Sequence, residues 1–134
     1  MKKWVVLWLS VTLLCLSACR GSVALAPVTE VDSDIYSQTE ISAAIRVAMS
    51  YFKNHFDGCT LTAIRYAGDD RAAVYGSWAR QYGADEAIIL LSDFEVSASG
   101  GGGSLRPNST YTDWQWVLVR DDNGSWRHAT HGYG

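Results

Sequence analysis

Apolar residues recur at steps of three and four between positions 41 and 56, the period of one face of an α-helix. The stripe consists of Ile41, Ala44, Ile45, Ala48, Met49, Phe52 and Phe56. Ser37 and Glu40 precede it with the spacing of a capping box, in which each side chain bonds the other residue's backbone N–H. Asp57-Gly58 follows as a stop signal. The pattern predicts a helix from about Gln38 to Phe56.

Four later segments have the alternation or the β-branched composition of strands. They are residues 59–66, 87–96, 111–120 and 126–132. The last two flank Asp121-Asp122-Asn123-Gly124, a tight-turn sequence that favours an antiparallel hairpin. A second, shorter helix over residues 71–82 is weakened by Gly76. Because three strands run consecutively, we expect an α+β domain in which the long N-terminal helix packs on a mainly antiparallel four-stranded sheet.

The first 18 residues have a different character. Met1-Lys2-Lys3 is positively charged, and the stretch from Trp4 to Leu16 is apolar except for Ser10 and Thr12. This stretch is shorter than the roughly 20 residues of a membrane-spanning helix. Its length and its charged start are typical of an export signal.

Leu16-Ser17-Ala18-Cys19 follows the apolar stretch. It resembles the lipobox of bacterial lipoproteins, which implies cleavage before Cys19 and attachment of acyl chains, such as palmitate, to that residue. Two or three acyl chains hold a protein stably on a membrane. We therefore expect a signal peptide at 1–18, a flexible tether at 19–34 and a single domain at 35–134, on the extracytoplasmic face of the cell membrane. A short uncleaved anchor and cleavage after Ala24-Leu25-Ala26 are the alternatives.

Charge narrows the range of partners. Lys2 and Lys3 lie in the predicted signal and all 14 acidic residues follow it, so the net charge of −3 becomes −5 after cleavage. The remaining lysine and the arginines form no basic run. We expect no nucleic-acid partner, because phosphate binding needs clustered basic residues.

The polar candidates for a functional site are few. Asp93 and Glu95 are two apart on a strand and face one side, the spacing of a paired-carboxylate or cation site, but we interpret them as a solvated strand end. His128 and His131 are three apart, so on a regular strand they face opposite sides and bind one metal only if the strand bulges. We expect no metal, no cofactor and no catalytic residue, and we interpret Cys59 as a buried structural thiol.

The aromatic residues of the last hairpin carry the binding hypothesis. Trp114 and Trp116 share one face of their strand, and Trp126 lies across the hairpin. Exposed Trp platforms bind sugars or peptides by stacking. The competing interpretation is packing between the sheet and the helix. We predict Trp114, Trp116 and Trp126 as ligand-binding residues.

The order of elements resembles the cystatin-like and NTF2-like folds, in which a long first helix packs into a curved antiparallel sheet. The block from Tyr111 to Arg120, followed by Trp126 and the Gly132-Tyr133-Gly134 end, resembles small lipoproteins of gut Clostridia. That group has no assigned activity. The resemblances imply a membrane-anchored module that binds a small molecule, a glycan or an envelope protein. The alternatives are a small NTF2-like enzyme with a pocket carboxylate such as Asp93, and a structural or inhibitory envelope component.

Overall fold

The computed structural model describes residues 21–23 and 26–133. The predicted signal peptide, the lipobox and Cys19 lie outside these residues. In chain order the elements are β1 (Val28–Thr29), α1 (Gln38–His55), β2 (Cys59–Tyr66), α2 (Ala72–Gln81), β3 (Glu86–Val96), β4 (Thr110–Arg120) and β5 (Arg127–Gly132). None of the helices in the described ranges is long and apolar enough to cross a membrane.

The predicted capping box opens α1. Ser37 Oγ accepts the Glu40 N–H at 3.1 Å, and the Ser37 N–H donates to Glu40 Oε2 at 2.7 Å. The helix ends at His55, and Gly58 then turns the chain with φ +71°. A Cβ at Gly58 would lie 2.6 Å from the Gly100 carbonyl oxygen, so a side chain does not fit there.

The predicted fold class is wrong. A helix on a mainly antiparallel four-stranded sheet, in the cystatin-like or NTF2-like manner, does not describe this chain. The sheet has five strands in the order β1-β2-β3-β4-β5, and it is mixed because β1 runs parallel to β2. A second helix, α2, also contacts the sheet at β3 and β4.

The sequence pattern does not predict β1, and the reason is physical. Val28–Thr29 has only two residues, follows Pro27, and exposes both side chains. A strand of two residues is too short to show a hydrophobic period. Its stability comes from main-chain hydrogen bonds to β2 rather than from buried side chains. The segment predicted as a tether therefore contributes a strand to the domain.

The two faces of the sheet are buried by different elements. The inner face, toward α1, carries Ile88, Leu90 and Leu118 together with the aromatic rings of Phe94 and Trp116. Phe52 of α1 packs against the last two, with ring centroids 5.6 and 6.4 Å away.

On the outer face, Ile89, Val117 and Val119 are also buried, although they alternate with the inner-face residues. Since α2 contacts β3 and β4, it covers this part of the outer face. An apolar pattern on both sides of one hairpin is explained by a helix on each side.

Arg120, at the end of β4, connects the first turn of α1 to the sheet. Its guanidinium, only 5% exposed, bonds Glu40 at 2.7 Å, pairs with Glu86 of β3, and lies 4.2 Å from the Trp126 ring centre. The hydrogen bond to Arg120 is the main reason that the pKa of Glu40 is lowered.

We expect Arg120→Met to lower the free energy of unfolding by about 2 kcal/mol. This is less than the roughly 3–5 kcal/mol for breaking a fully buried ion pair, because Glu40 and Glu86 remain partly exposed. Urea unfolding at neutral pH measures the change. Arg127→Met, which removes an exposed pair with Asp121, is the matched control and should cost less than about 1 kcal/mol. Equal losses in the two variants would contradict the role of Arg120.

Candidate functional site

A β-bulge brings His128 and His131 to the same side of the sheet. His128 pairs with Leu118 and Thr130 with Val117, so one extra residue stands in β5 between the two pairs. An extra residue reverses the alternation beyond it. His128 Nε2 and His131 Nδ1 consequently lie 3.0 Å apart, and one of them donates a hydrogen bond to the other.

Tyr51 of α1 stands between two histidine rings. Its ring is nearly parallel to those of His55 and His128, with centroids 3.9 and 3.8 Å away. Because both imidazole rings lie so near the tyrosine ring, they must stack on its opposite faces. His55 Nδ1 lies 3.0 Å from the Tyr51 carbonyl oxygen, which can only accept, so Nδ1 carries the proton in that bond.

Burial keeps the two strand histidines uncharged at neutral pH. Desolvation, followed by the charges of His131 and His55, lowers the pKa of His128 to about 4. Desolvation also lowers the pKa of His131, with His55 as the second cause. Neutral imidazoles can both donate and accept hydrogen bonds, so the pair offers two-way hydrogen bonding rather than positive charge.

A cavity of about 380 Å³ lies beside this cluster. Five side-chain rings line it, those of Tyr51, His55, Phe56, Trp114 and His131. Residues Gly102–Leu105 of the β3–β4 loop form the rest of the lining. The volume is in the range of small-molecule sites, which are mostly apolar with a few polar groups. The arrangement suits a small ligand that stacks on rings and exchanges hydrogen bonds with a histidine.

The glycine-rich loop reaches the cavity because it packs closely on the start of β2. A Cβ at Gly101 would lie 3.1 Å from Cys59 Sγ and 3.0 Å from Leu105 Cδ1. The Ser97 N–H donates to the Gly58 carbonyl oxygen at 2.9 Å. Cys59 itself is buried, and burial raises the pKa of its thiol, as expected of a structural cysteine.

The three predicted tryptophans occupy different environments. Trp116 is fully buried, and its indole N–H donates to Ser92 Oγ at 2.8 Å. Trp126 is 5% exposed and donates to the Glu40 carbonyl oxygen at 3.1 Å. Trp114 is half-buried and lines the cavity. Of the three, Trp114 is the one positioned to contact a ligand in this cavity.

The predicted carboxylate pair lies elsewhere. Asp93 Oδ1 accepts the Asp113 N–H at 3.0 Å and is 3.8 Å from Arg65 Nη1, while Glu95 is exposed. Both are on the outer face, away from the cavity. Within residues 21–23 and 26–133, no group of three or more His, Cys, Asp or Glu side chains is arranged to hold a metal ion.

Sequence reasoning missed Tyr51 and His55 as site residues. Their spacing of four places both on one side of α1, which was a usable signal. Their partners in β5 depend on the bulge, and residues 127–131 contain no glycine or proline that would indicate it.

No protein-family model, no curated protein and no solved structure matches the chain with significance. The resemblances to bacterial lipoproteins and to clostridial lipoproteins therefore stay predictions.

We expect the free energy of unfolding to fall as the pH is lowered from 6.5 toward 4. In that window the unfolded chain protonates His128, whereas the folded chain does so only near its pKa of about 4. The decline should not exceed about 1.4 kcal/mol per pH unit for each histidine. Urea unfolding between pH 7.5 and 5, where most carboxylates stay ionised, measures it. His128→Gln should reduce the slope by about half, and an unchanged slope would contradict this assignment.

Proposed function

We propose that the chain is a lipoprotein anchored to the extracytoplasmic face of the cell membrane through Cys19, and that its domain binds a small ligand. The support for anchoring is the lipobox-like Leu16-Ser17-Ala18-Cys19 after an export-signal pattern. The support for binding is the convergence of five rings on one cavity.

The chemistry of the lining narrows the ligand class. Phe56, Trp114 and Leu105 supply apolar contact, and His55 and His131 supply ring nitrogens. Since burial lowers the pKa of His131 and favours its neutral form, that side chain does not select for an anion by charge. A ligand with an apolar or stacking surface and one or two hydrogen-bonding groups fits best, which includes glycans, peptides and amphiphiles.

The enzyme alternative has less support. It needs a carboxylate inside an apolar pocket. Asp93, the residue predicted for that role, is bonded to the Asp113 N–H on the opposite face of the sheet. An envelope-protein partner or a structural role remains the outcome to consider if the cavity binds nothing.

Ligand binding is tested by a thermal-shift screen of the fragment from Gly21 to Gly134 against sugars, cell-wall fragments, short peptides and amphiphiles. A ligand at 100 times its dissociation constant should add about 2.7 kcal/mol of stability. Trp114→Ala and Leu105→Ser should abolish the shift, whereas Trp78→Ala, a tryptophan of α2 that does not line the cavity, should retain it. A hit that survives both cavity substitutions would place the ligand elsewhere.

Lipidation is tested separately in intact bacterial cells. We expect Cys19→Ala to lose incorporation of an alkyne fatty-acid analogue and to leave the membrane fraction, or to accumulate uncleaved. Cys59→Ala removes the buried thiol instead and should keep the label. Labelling of Cys19→Ala at the wild-type level would rule out the lipobox.

A further inference from the structure

Gly21 and Ser22, which follow the predicted lipid site by two and three residues, are bonded to the rest of the domain. The Gly21 N–H donates to the Lys53 carbonyl oxygen at 3.1 Å. Ser22 then bridges Thr60 of β2, donating to Cys59 O at 2.9 Å and accepting from the Leu61 N–H at 2.8 Å. These bonds tie the segment to the C-terminal end of α1 and the start of β2.

Gly21 is suited to this junction. It is buried, and a Cβ there would lie 2.4 Å from the Phe52 carbonyl oxygen, a distance that no real side chain tolerates. The close approach of the two backbones therefore requires glycine. The junction is a packed part of the domain.

Covalent geometry limits the distance from this junction to the lipid. Two residues of fully extended chain span about 7 Å, so Cys19 cannot be farther than that from Gly21. If Cys19 carries acyl chains in the bilayer, the end of the domain at Gly21 stays within about one headgroup layer of the membrane surface. A flexible tether of the predicted length would have left the domain free to rotate.

The cavity is at the same end of the molecule. Cys59, whose backbone bonds Ser22, places its sulfur 3.1 Å from where a Cβ on Gly101 would stand. Gly102–Leu105, the next residues of that loop, line the cavity together with the last turn of α1. The junction and the cavity are therefore separated by one strand and one loop.

The charged side chains described at this end of the domain do not set the orientation. The exposed charged side chains at this end include two basic ones, Lys53 and Arg106, and two acidic ones, Asp57 and Glu95. These four charges sum to zero, so together they provide no net attraction to anionic headgroups. The short covalent connection is what holds this end toward the bilayer.

We propose that the domain is held with its cavity end against the bilayer, and that the ligand is an amphiphile drawn from that membrane. Its apolar part contacts Phe56, Leu105 and Trp114, and its polar group bonds His55 or His131. This deepens the proposed function and rests on the lipidation of Cys19. A membrane-resident ligand reaches the site by lateral diffusion rather than from solution.

Orientation is tested on the full, lipidated chain in phosphatidylcholine–phosphatidylglycerol vesicles. Ser104→Cys at the cavity and Ser125→Cys in the β4–β5 turn, both exposed, are labelled with nitrobenzoxadiazole while Cys59 stays buried. Ser104 lines the cavity beside Trp114, whereas Ser125 follows the far end of β4 at Arg120, and the strand from Trp114 to Arg120 spans about 20 Å. Acyl-brominated lipids should quench the probe at 104 at least threefold more than the probe at 125. Equal quenching would overturn the orientation.

A spacer variant separates anchoring from orientation. Twelve Gly/Ser residues inserted between Arg20 and Gly21 leave Cys19 unchanged, so the protein should stay on the vesicles but lose the difference between the two probes. A difference that persists with the spacer would show that the short connection is not its cause. If the protein without the spacer leaves the vesicles, lipidation has failed. That result contradicts the proposed anchoring rather than the orientation.

The ligand class is tested in the same vesicles with a phosphatidylcholine that carries a diazirine in one acyl chain. Irradiation should cross-link the lipid to the peptide containing Leu105 or to Trp114. Trp114→Ala should reduce the cross-link at Leu105 at least fivefold, and Trp78→Ala should not. If the orientation is as expected but this cross-link is absent, the proposal that the ligand is an amphiphile is overturned. A soluble ligand found in the thermal-shift screen would still support a ligand-binding cavity.

Discussion

The position of α1 across the sheet depends on one buried cation. Arg120 joins Glu40 in the first turn of α1 to Glu86 at the start of β3, and it packs on Trp126 from the hairpin. Trp126 also bonds the Glu40 carbonyl oxygen. A guanidinium with two carboxylate partners and an aromatic face accepts few other arrangements. The first turn of the helix is thereby held in one place, and Tyr51 and His55 of the last turn line the cavity.

The candidate site forms where three parts of the chain meet. The β5 bulge turns His128 toward His131, the last turn of α1 supplies Tyr51 and His55, and the glycine-rich loop closes over them. None of the three elements forms a cavity alone. Burial keeps the strand histidines neutral, so the site is apolar with a small number of two-way hydrogen-bonding groups. Such a site favours binding by stacking and shape over binding by charge.

The N-terminal segment changes how the molecule would sit on a membrane. A long flexible tether would allow many orientations, and binding at the surface would then be averaged over all of them. The structure instead packs Gly21 and Ser22 against α1 and β2 and pairs β1 with β2. Gly21 lies two residues after the predicted lipid site. If Cys19 is lipidated, the short connection to Gly21 orients the domain on the membrane.

Local patterns in the sequence determined the local structure of this protein. The stripe from Ile41 to Phe56 and the capping box at Ser37 predicted α1 to within one residue, because both signals act between neighbours on one helix. Hydrophobic alternation and the Asp122-Asn123-Gly124 turn located β4 and β5 in the same way. Only the tertiary structure decided the five-stranded mixed sheet, the burial of Trp116, and the meeting of Tyr51 with His128. These features arise from pairing between distant segments, where a two-residue strand or a one-residue bulge changes the result and leaves no periodic mark in the sequence.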